Sequence, residues 1–272
     1  MTPAATIAAR LSRVAEQAGL TLALAGDVAT ITLNRPDRLN SQTPHTWRGL
    51  ALLADNLPGT VRVVVLRGAG RAFSAGLDRA MFAPEGVAGA PSVLALAAGP
   101  AEAAAAQIAA WQRAFDWQSR PSIVTIAAVQ GHAIGAGFQL ALGADLRILA
   151  ADAQFTMAEP GLGLVPDLGG TKRLVDLVGY SRAAEICLTG RRIPATEALA
   201  IGLASSVVPT DELDEAVAAT VRSLLAVGRD AATETKALLL AAADRSQPEQ
   251  EAAERDAQYR RLRALTGLDA EA

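Results

Sequence analysis

The sequence predicts an α/β fold in which short strands, glycine-rich turns and helices alternate and a helical segment ends the chain. The clearest unit, residues 127–147, reads as a strand, a turn containing Gly131, Gly135 and Gly137, a helix at about 136–142 and a second strand. Repeated strand–turn–helix units indicate α/β architecture. The periodicity leaves open whether the strands form an open sheet or a superhelix.

Composition limits the class of protein. With 272 residues, of which 51% are hydrophobic, the chain is long enough for one well-packed core. The net charge of −3 provides no basic surface, so nucleic acid is not an expected partner. A lone cysteine, Cys187, excludes an internal disulfide framework and fits a reducing cytoplasm. No apolar run reaches the ~18 residues of a membrane span, and the order of a signal peptide is absent, so no membrane association is expected.

The N-terminal part is expected to contain a helix, a hairpin and a helix followed by a strand. Residues 3–18 have a helical pattern but few anchoring positions, which predicts an extension that frays. Two β-rich runs, 21–25 and 28–33, flank Gly26-Asp27 and predict a hairpin. The next predicted segments are a turn-rich loop at 34–40, a helix from Pro44 to Asn56 and a buried strand at 61–66.

The rest of the chain is predicted to alternate loops, short strands and helices. Residues 83–105, which are rich in Ala, Gly and Pro without a clear period, predict a mobile loop. The remaining predicted segments are a glycine-rich turn at 68–78, a helix at about 103–118, a strand at 122–129, a short β segment at 153–157, a loop at 161–170 and helices after Thr171. The tail, residues 211–265, alternates apolar and charged residues at helical spacing and predicts a packing partner.

The turn before residue 136 is the first candidate for chemistry. The helix that follows directs its first unpaired N–H groups into that turn, where they and the positive helix end favour a negative oxygen. A carbonyl that becomes an oxyanion during reaction is one candidate, and a phosphate is the other.

A series of motifs carries a resemblance to a known family. The motifs are Phe73-Ser-Ala-Gly-Leu-Asp78, Gly131-His-Ala-Ile-Gly-Ala-Gly137, Ala158-Glu-Pro-Gly-Leu-Gly-Leu-Val-Pro-Asp-Leu-Gly-Gly-Thr171, Leu188-Thr-Gly-Arg-Arg-Ile-Pro-Ala-Thr-Glu-Ala198 and Gly202-Leu-Ala. In this order and at this spacing they resemble the enoyl-CoA hydratase/isomerase (crotonase) superfamily over roughly residues 21–211. Each motif alone is weak, and their combination makes the resemblance specific.

The resemblance implies a fold, an assembly and a ligand. The fold would be a crotonase-like superhelix of ββα units with a C-terminal helical region that mediates trimers, often paired into hexamers. The implied division is an N-terminal extension at 1–20, a core with the acyl-CoA site at 21–210 and an oligomerisation region at 211–272. The ligand would be an acyl-CoA thioester, so coenzyme A belongs to the substrate and no separate cofactor is expected.

The resemblance also assigns an oxyanion hole to the main-chain N–H groups of Leu77 and Ala136. Two such donors would stabilise a thioester enolate, and losing one donor typically costs about 10²–10³ in rate. The residues implied to line the substrate and CoA channel are Arg38, Ala75, Asp78, Arg79, Ala80 and Gly135. Among them, Arg38 is assigned a phosphate contact.

The acid–base positions depart from the hydratase pattern. Hydratases place one glutamate three residues after the second oxyanion donor and another twenty residues beyond; here these positions hold Gln139 and Glu159. An amide holds water by hydrogen bonds but does not exchange a proton near neutral pH. Asp167, eight residues after Glu159, matches a second catalytic carboxylate of dienoyl-CoA isomerases in the superfamily. These comparisons favour a catalytic set of Glu159, Asp167 and Gln139 in which Glu159 removes and returns a proton.

Three functions follow from these residues. The first is an enoyl-CoA isomerase, the second a hydratase in which Gln139 only positions water, and the third a non-catalytic acyl-CoA-binding subunit. Structural roles compete with the catalytic ones, because Asp167 also fits a turn or helix cap and Gln139 also fits a packing position. Asp145 and Arg147 are expected to pair with each other. Two histidines and one cysteine offer no metal cluster, so no metal is expected.

Overall fold

A computed structural model describes residues 3–267, with side-chain environments from residue 9 onward, and places its strands in two sheets. The larger sheet has the order β1-β2-β3-β4-β6-β9 and the smaller one β5-β7-β8. The described strands are β1 Leu20–Ala25, β2 Val28–Leu33, β3 Val63–Gly68, β4 Val124–Val129, β5 His132–Ile134, β6 Leu146–Ala150, β7 Gln154–Thr156, β8 Ile193–Pro194 and β9 Ser206–Val208. This arrangement confirms the predicted α/β class.

Helices connect the strands and form the C-terminal layer. In the described part of the chain they are α1 Pro3–Gln17, α2 Pro44–Asn56, α3 Val93–Ala98, α4 Ala101–Asp116, α5 Ala136–Gly143, α6 Gly170–Val178, α7 Tyr180–Thr189, α8 Ala195–Ala200, α9 Leu213–Ala226, α10 Arg229–Ala241 and α11 Gln247–Leu265. Within residues 3–267, none of them combines the length and apolar character that crossing a membrane requires.

The larger sheet is parallel except at its first pair. The predicted hairpin is confirmed, since β1 and β2 pair antiparallel from Leu20 opposite Leu33 to Ala25 opposite Val28. From β2 onward every pair in this sheet is parallel. Buried parallel strands are apolar on both faces because helices cover both sides. In β3, Val64 packs into the main core, whereas Val65 packs with residues of α9 on the opposite face.

Helix α2 shows how local sequence sets an element. Its bounds are those predicted, because Pro44 occupies the first turn and the Thr43 side chain accepts a hydrogen bond from Thr46 N. The side chains of Trp47, Leu50 and Leu53 are buried in the main core.

Helix α1 is anchored more firmly than its sequence indicates. Leu11 and Ala15 are buried in the main core, and the turn after the helix brings Ala18 against Gly49 of α2. The predicted weak anchoring is therefore wrong for the second half of this helix, since its few apolar positions all face the core. Residues 1–2 of the predicted extension and 268–272 of the predicted C-terminal region lie outside the described residues.

The segment predicted as a loop at 83–105 contains a helix. Helix α3 begins after Ser92, whose side chain accepts a hydrogen bond from Ala95 N at 3.1 Å, and α4 begins at Ala101. The buried Ser92 caps the helix and orders this segment, which the Ala-rich composition does not indicate.

The C-terminal helical layer is joined to the sheet by a largely buried ion pair, in which the side chain of Lys236 is 9% and that of Asp145 23% exposed. Lys236 Nζ in α10 donates to Asp145 Oδ2 at 2.7 Å and to the carbonyl oxygens of Gln118 and Ile123 at 2.9 and 2.6 Å. Asp145 Oδ2 also accepts from the Thr125 N–H at 2.7 Å and its hydroxyl at 2.9 Å.

The expected pairing of Asp145 with Arg147 is wrong. The Arg147 guanidinium instead donates to main-chain oxygens, including Leu203 O at 2.6 Å. The carboxylate of Asp145 is bound by Lys236, which lies 91 residues farther along the chain.

Replacing Lys236 by Met is expected to lower the free energy of unfolding by about 3 kcal/mol, because it leaves the carboxylate of Asp145 without its counter-ion. The measurement is urea unfolding followed by circular dichroism. The matched control is Lys172→Met, which removes an exposed lysine–aspartate pair with Asp176 of similar length and should change stability far less, because solvent screens exposed ion pairs. Equal effects of the two substitutions would contradict the anchoring role of Lys236.

Candidate active site

Two glycine-rich bends meet beside the short strand β5. Ile134 N donates to Ser74 O at 2.9 Å, so residues 74–76 run along this strand. Gly76 has φ +84°, and a Cβ built on it would lie 2.5 Å from Ile134 O and 3.5 Å from Ala136 N. Any larger residue would clash there. The close approach brings the peptide after Gly76 next to the start of α5.

Two main-chain amides at this junction are available as donors. Gln42 N donates to Gly76 O at 2.7 Å and Asp78 N donates to Gln42 O at 2.8 Å, so the intervening Leu77 N–H takes no part in this pairing. Ala136 is the first residue of α5 and has no acceptor within its own helix. Neither N–H donates a hydrogen bond to another residue in the described range.

Gly135 allows a carboxylate to approach the start of α5. Its dihedral angles are φ +51° and ψ −118°, and its N–H donates to Thr156 O at 2.9 Å. A Cβ at this position would lie 2.9 Å from Oε1 of Glu159. Glu159 therefore lies directly against the peptide that leads to Ala136.

The Glu159 carboxylate is fixed on one oxygen only. Its Oε1 accepts a hydrogen bond from Gln139 Nε2 at 2.8 Å. Its Oε2 is buried and accepts no hydrogen bond from the described residues. Burial raises the pKa of this carboxyl, and the charge of Asp167 raises it further. The main-chain N–H groups of Glu159 and Ala158 and the Gln139 hydrogen bond lower the pKa, but they do not cancel the effect of burial.

The backbone at the start of α6 fixes the orientation of the Gln139 side chain. The side chain is 1% exposed, and its Oε1 accepts from Leu168 N at 2.9 Å and from Gly170 N at 3.2 Å. Because both partners are N–H donors, the oxygen must face them and the NH₂ group must face Glu159. The carbonyl oxygen of this amide is thus already used within the protein.

Asp167 is close to this pair but is not a helix cap. Burial raises the pKa of its carboxyl. The residue that caps α6 is Gly169, which makes the capping interpretation of Asp167 wrong. The main chain at Asp167 is held by Gln112 Nε2, which donates to its carbonyl oxygen at 2.7 Å.

Asp78 is bound within its own loop. Its carboxylate accepts hydrogen bonds from Arg35 at 2.9 Å, the Ser41 hydroxyl at 2.9 Å and Ala80 N at 3.1 Å. Burial alone would raise the pKa of Asp78, but these donors outweigh it and the pKa lies below its ordinary value. The carboxylate thereby fixes the chain that follows Leu77.

The other residues predicted to line the channel lie around this loop. Ala75 is half-buried and its N–H donates to Leu39 O at 2.8 Å, which places the turn containing Arg38 beside the first bend. Arg38, Arg79 and Ala80 are exposed. Their contacts with CoA therefore stay predictions.

Sequence reasoning missed the residues that support the first bend. Asn40 adopts φ +54°, and its side chain donates to Ala69 O and Ala72 O at 2.8 Å each. Ser74 is fully buried and its hydroxyl donates to Asn40 O at 2.8 Å. The only signal in the sequence was an asparagine at the end of a turn-rich loop, since asparagine tolerates a left-handed backbone.

Comparison with known proteins identifies the family of this chain. The sequence profile of the Enoyl-CoA hydratase/isomerase family matches residues 24–266, so the chain belongs to this family. It is 38% identical over 221 residues to the Mycobacterium tuberculosis protein named probable enoyl-CoA hydratase EchA12, covering 80% of this chain and 75% of that protein. It is 34% identical over 199 residues to the short-chain-enoyl-CoA hydratase of Clostridium acetobutylicum, covering 69% and 68%.

Solved structures are similar over nearly the whole chain. A Thermobifida fusca protein crystallised in complex with acetoacetyl-CoA is 50% identical, with a TM-score of 0.89, and the match covers 92% of this chain and 97% of that protein. The same comparison holds for its complex with CoA, again at 50% identity and a TM-score of 0.89. The predicted crotonase-like fold is therefore confirmed.

Replacing Glu159 by Gln is expected to raise the melting temperature at about pH 8 and to leave it unchanged at about pH 4. The pKa of Glu159 is raised in the folded protein, so ionisation lowers stability as the pH rises through that value. Below the ordinary glutamate pKa of about 4.3 the carboxyl is neutral in both the folded and unfolded states. The measurement is thermal unfolding by calorimetry across this pH range.

The control for this prediction is Glu16→Gln, at an exposed carboxyl of α1, which should show no such dependence. A stabilisation by Glu159→Gln that is equal at both ends of the pH range would mean that ionisation of Glu159 is not its cause.

Proposed function

We propose that this protein is an enoyl-CoA isomerase that shifts a double bond by proton transfer through Glu159. The observation that carries the proposal is the pair Glu159 and Gln139. Of the two positions where hydratases carry glutamates, only Glu159 is ionisable. The amide at Gln139 donates to Glu159 and gives its oxygen to two backbone N–H groups, so it exchanges no proton with a substrate.

The proposed oxyanion hole consists of the N–H groups of Leu77 and Ala136. Both are unpaired within the described residues and come from bends in close contact. In this proposal they donate to the thioester oxygen of an acyl-CoA and stabilise the charge that develops on it. The complexes of the Thermobifida fusca protein with acetoacetyl-CoA and with CoA support an acyl-CoA ligand.

The proposed reaction transfers one proton within the substrate. Glu159 takes a proton from the α-carbon of a 3-enoyl-CoA, and the electron pair delocalises over the thioester and the double bond as a dienolate. The protonated Glu159 then returns the proton to the γ-carbon, which yields the 2-enoyl-CoA. A carboxyl whose pKa is raised by burial holds the proton between these two steps better than an exposed one. Asp167 is proposed as a second acid–base group for dienoyl substrates.

Water addition is the second candidate, and the names of relatives such as the Clostridium acetobutylicum enzyme favour it. In that case Gln139 would orient a water through its remaining N–H, while Glu159 alone would exchange protons. A third possibility, acyl-CoA binding without turnover, would retain the oxyanion hole and not use Glu159.

Incubation with 3-enoyl-, 2-enoyl- and 3,5-dienoyl-CoA distinguishes the three functions. Isomerisation leaves the mass unchanged and alters ultraviolet absorption, whereas hydration adds the mass of one water. We expect conversion of the 3-enoyl-CoA with no change in mass. Hydration at ordinary enzymatic rates would replace the isomerase by the second function, and binding without any conversion would replace it by the third.

The variant Glu159→Gln is expected to reduce the isomerisation rate by about 10²–10⁴-fold while CoA affinity is largely retained. Stopped-flow absorbance measures the rate, and calorimetric titration with CoA measures binding. Asp167→Asn is the companion variant and should affect dienoyl substrates more than 3-enoyl substrates. Full activity of Glu159→Gln would eliminate Glu159 as the base.

We also propose a homotrimer, or a hexamer of two trimers, in the cytoplasm, with the lone Cys187 supporting the reducing location. Large apolar side chains remain exposed on the C-terminal helices: Leu239 is 71%, Tyr259 62% and Leu265 80% exposed. Patches of this kind mark contact surfaces.

Light scattering at micromolar concentration should therefore give three or six times the chain mass of 28.0 kDa. A monomer at that concentration would contradict the proposed assembly.

A further inference from the structure

We propose that Gln139 is a positioning residue that orients the Glu159 carboxylate and makes Oε2 its proton-accepting oxygen. The inference rests on the proposed function, in which Glu159 is the base. It goes further by assigning a role to an amide that is buried between the base and the loop following it. Three contacts carry it: Nε2 to Glu159 Oε1 at 2.8 Å, and Oε1 from Leu168 N and Gly170 N at 2.9 and 3.2 Å.

The Gln139 amide has one allowed orientation. Reversing it would place its NH₂ group against Leu168 N and Gly170 N, two donors with no acceptor between them. It would also place its oxygen against the Glu159 carboxylate. A Cβ built on Gly170 would lie 2.6 Å from Gln139 Cγ, so the absence of a side chain at Gly170 is what admits Gln139 to this position. The N–H therefore points at Glu159 in every allowed arrangement.

The Gln139 N–H distinguishes the two oxygens of the Glu159 carboxylate. Oε1 has a donor and is also adjacent to Gly135, whereas Oε2 accepts no hydrogen bond within the described part of the chain. An oxygen that already accepts a hydrogen bond is the weaker proton acceptor of the two. The hydrogen bond thus leaves Oε2 as the basic position and prevents rotation of the carboxylate about its last bond.

The ionisation of Glu159 depends on groups from three neighbouring elements. The groups that act on Glu159 from neighbouring elements are Gln139 on α5, Asp167 in the loop before α6 and Cys187 on α7, whose thiol interacts with the Glu159 charge. Burial and Asp167 favour the protonated carboxyl, whereas the main-chain N–H groups of Glu159 and Ala158 and the side chain of Gln139 favour the ionised one. Gln139 thereby keeps the base ionised to lower pH than its buried position alone would allow.

Two variants test the role through the pH dependence of kcat/KM for isomerisation. Gln139→Met keeps the size but removes the donor, so the acid limb should move up by about one pH unit. Gln139→Glu places a second carboxylate next to Glu159. The N–H groups of Leu168 and Gly170 stabilise this new carboxylate as an anion, so Glu159 retains its proton to higher pH. The limb should then move up further than in Gln139→Met. In both variants kcat at neutral pH should fall at least several-fold, while KM changes little.

The matched control is Gln118→Met. Gln118 is also 1% exposed, and its Nε2 donates to Leu140 O at 3.2 Å, but it has no contact with Glu159. This substitution removes a buried amide that donates to the backbone oxygens of Leu140 and Phe115, so it controls for the loss of a buried glutamine as such. The acid limb should stay where it is in the unsubstituted protein.

A direct titration separates this inference from the proposed function. With carbon-13 at the glutamate δ-carbon, the Glu159 resonance is assigned by its absence in Glu159→Gln and then followed with pH. Failure of isomerisation in the unsubstituted protein would defeat the proposed function. Even then, the positioning role would be supported if the Glu159 pKa rises in both Gln139 variants and does not rise in Gln118→Met. An unchanged Glu159 titration in Gln139→Met, or an equal change in Gln118→Met, would overturn it.

Discussion

A carboxyl group kept from water and held by a single amide is the feature on which the candidate site depends. Ionising such a group is costly unless polar groups compensate. Main-chain N–H groups of Glu159 and Ala158 compensate in part, and the one side chain that donates to the carboxylate in the described residues is Gln139, at Oε1. The remaining oxygen is buried without a partner in the described chain. Among the described residues the side-chain oxygens of Gln118, Gln130 and Gln154 share this property, but Glu159 is the ionisable group of the set. A buried ionisable group with a raised pKa is typical of a site for chemistry.

The backbone around this carboxyl is shaped by close approaches rather than by large side chains. Gly76 and Gly135 occupy positions where a Cβ would collide with Ile134 O or with Glu159 itself. The parallel sheet provides the rigid frame, because β4 ends just before the bend and β6 returns beside it. Rigid elements of this kind hold donors in place before a charge develops, which is the requirement for an oxyanion hole.

Local signals in the sequence were sufficient for elements with a cap or a strong period. Helix α2 was predicted with its observed bounds because Thr43 and Pro44 mark its start, and the hairpin followed from Gly26-Asp27. The three residues of β5 have no period to detect, and α3 lies in an Ala-rich stretch where only the Ser92 cap marks a helix. The anchoring of helix α1 was underestimated because it depends on core residues from other parts of the chain, which the local sequence does not show.

The sequence by itself determined the chemical types at the site: one ionisable residue at 159, an amide at 139, and glycines where two bends must approach closely. The motifs that contain them also identified the family. Only the tertiary structure decided how the amide is used, since its partners lie twenty to thirty-one residues away and are brought to it by the fold. Hydrogen bonds act over about 3 Å in space, and distance along a chain does not predict which groups come that close.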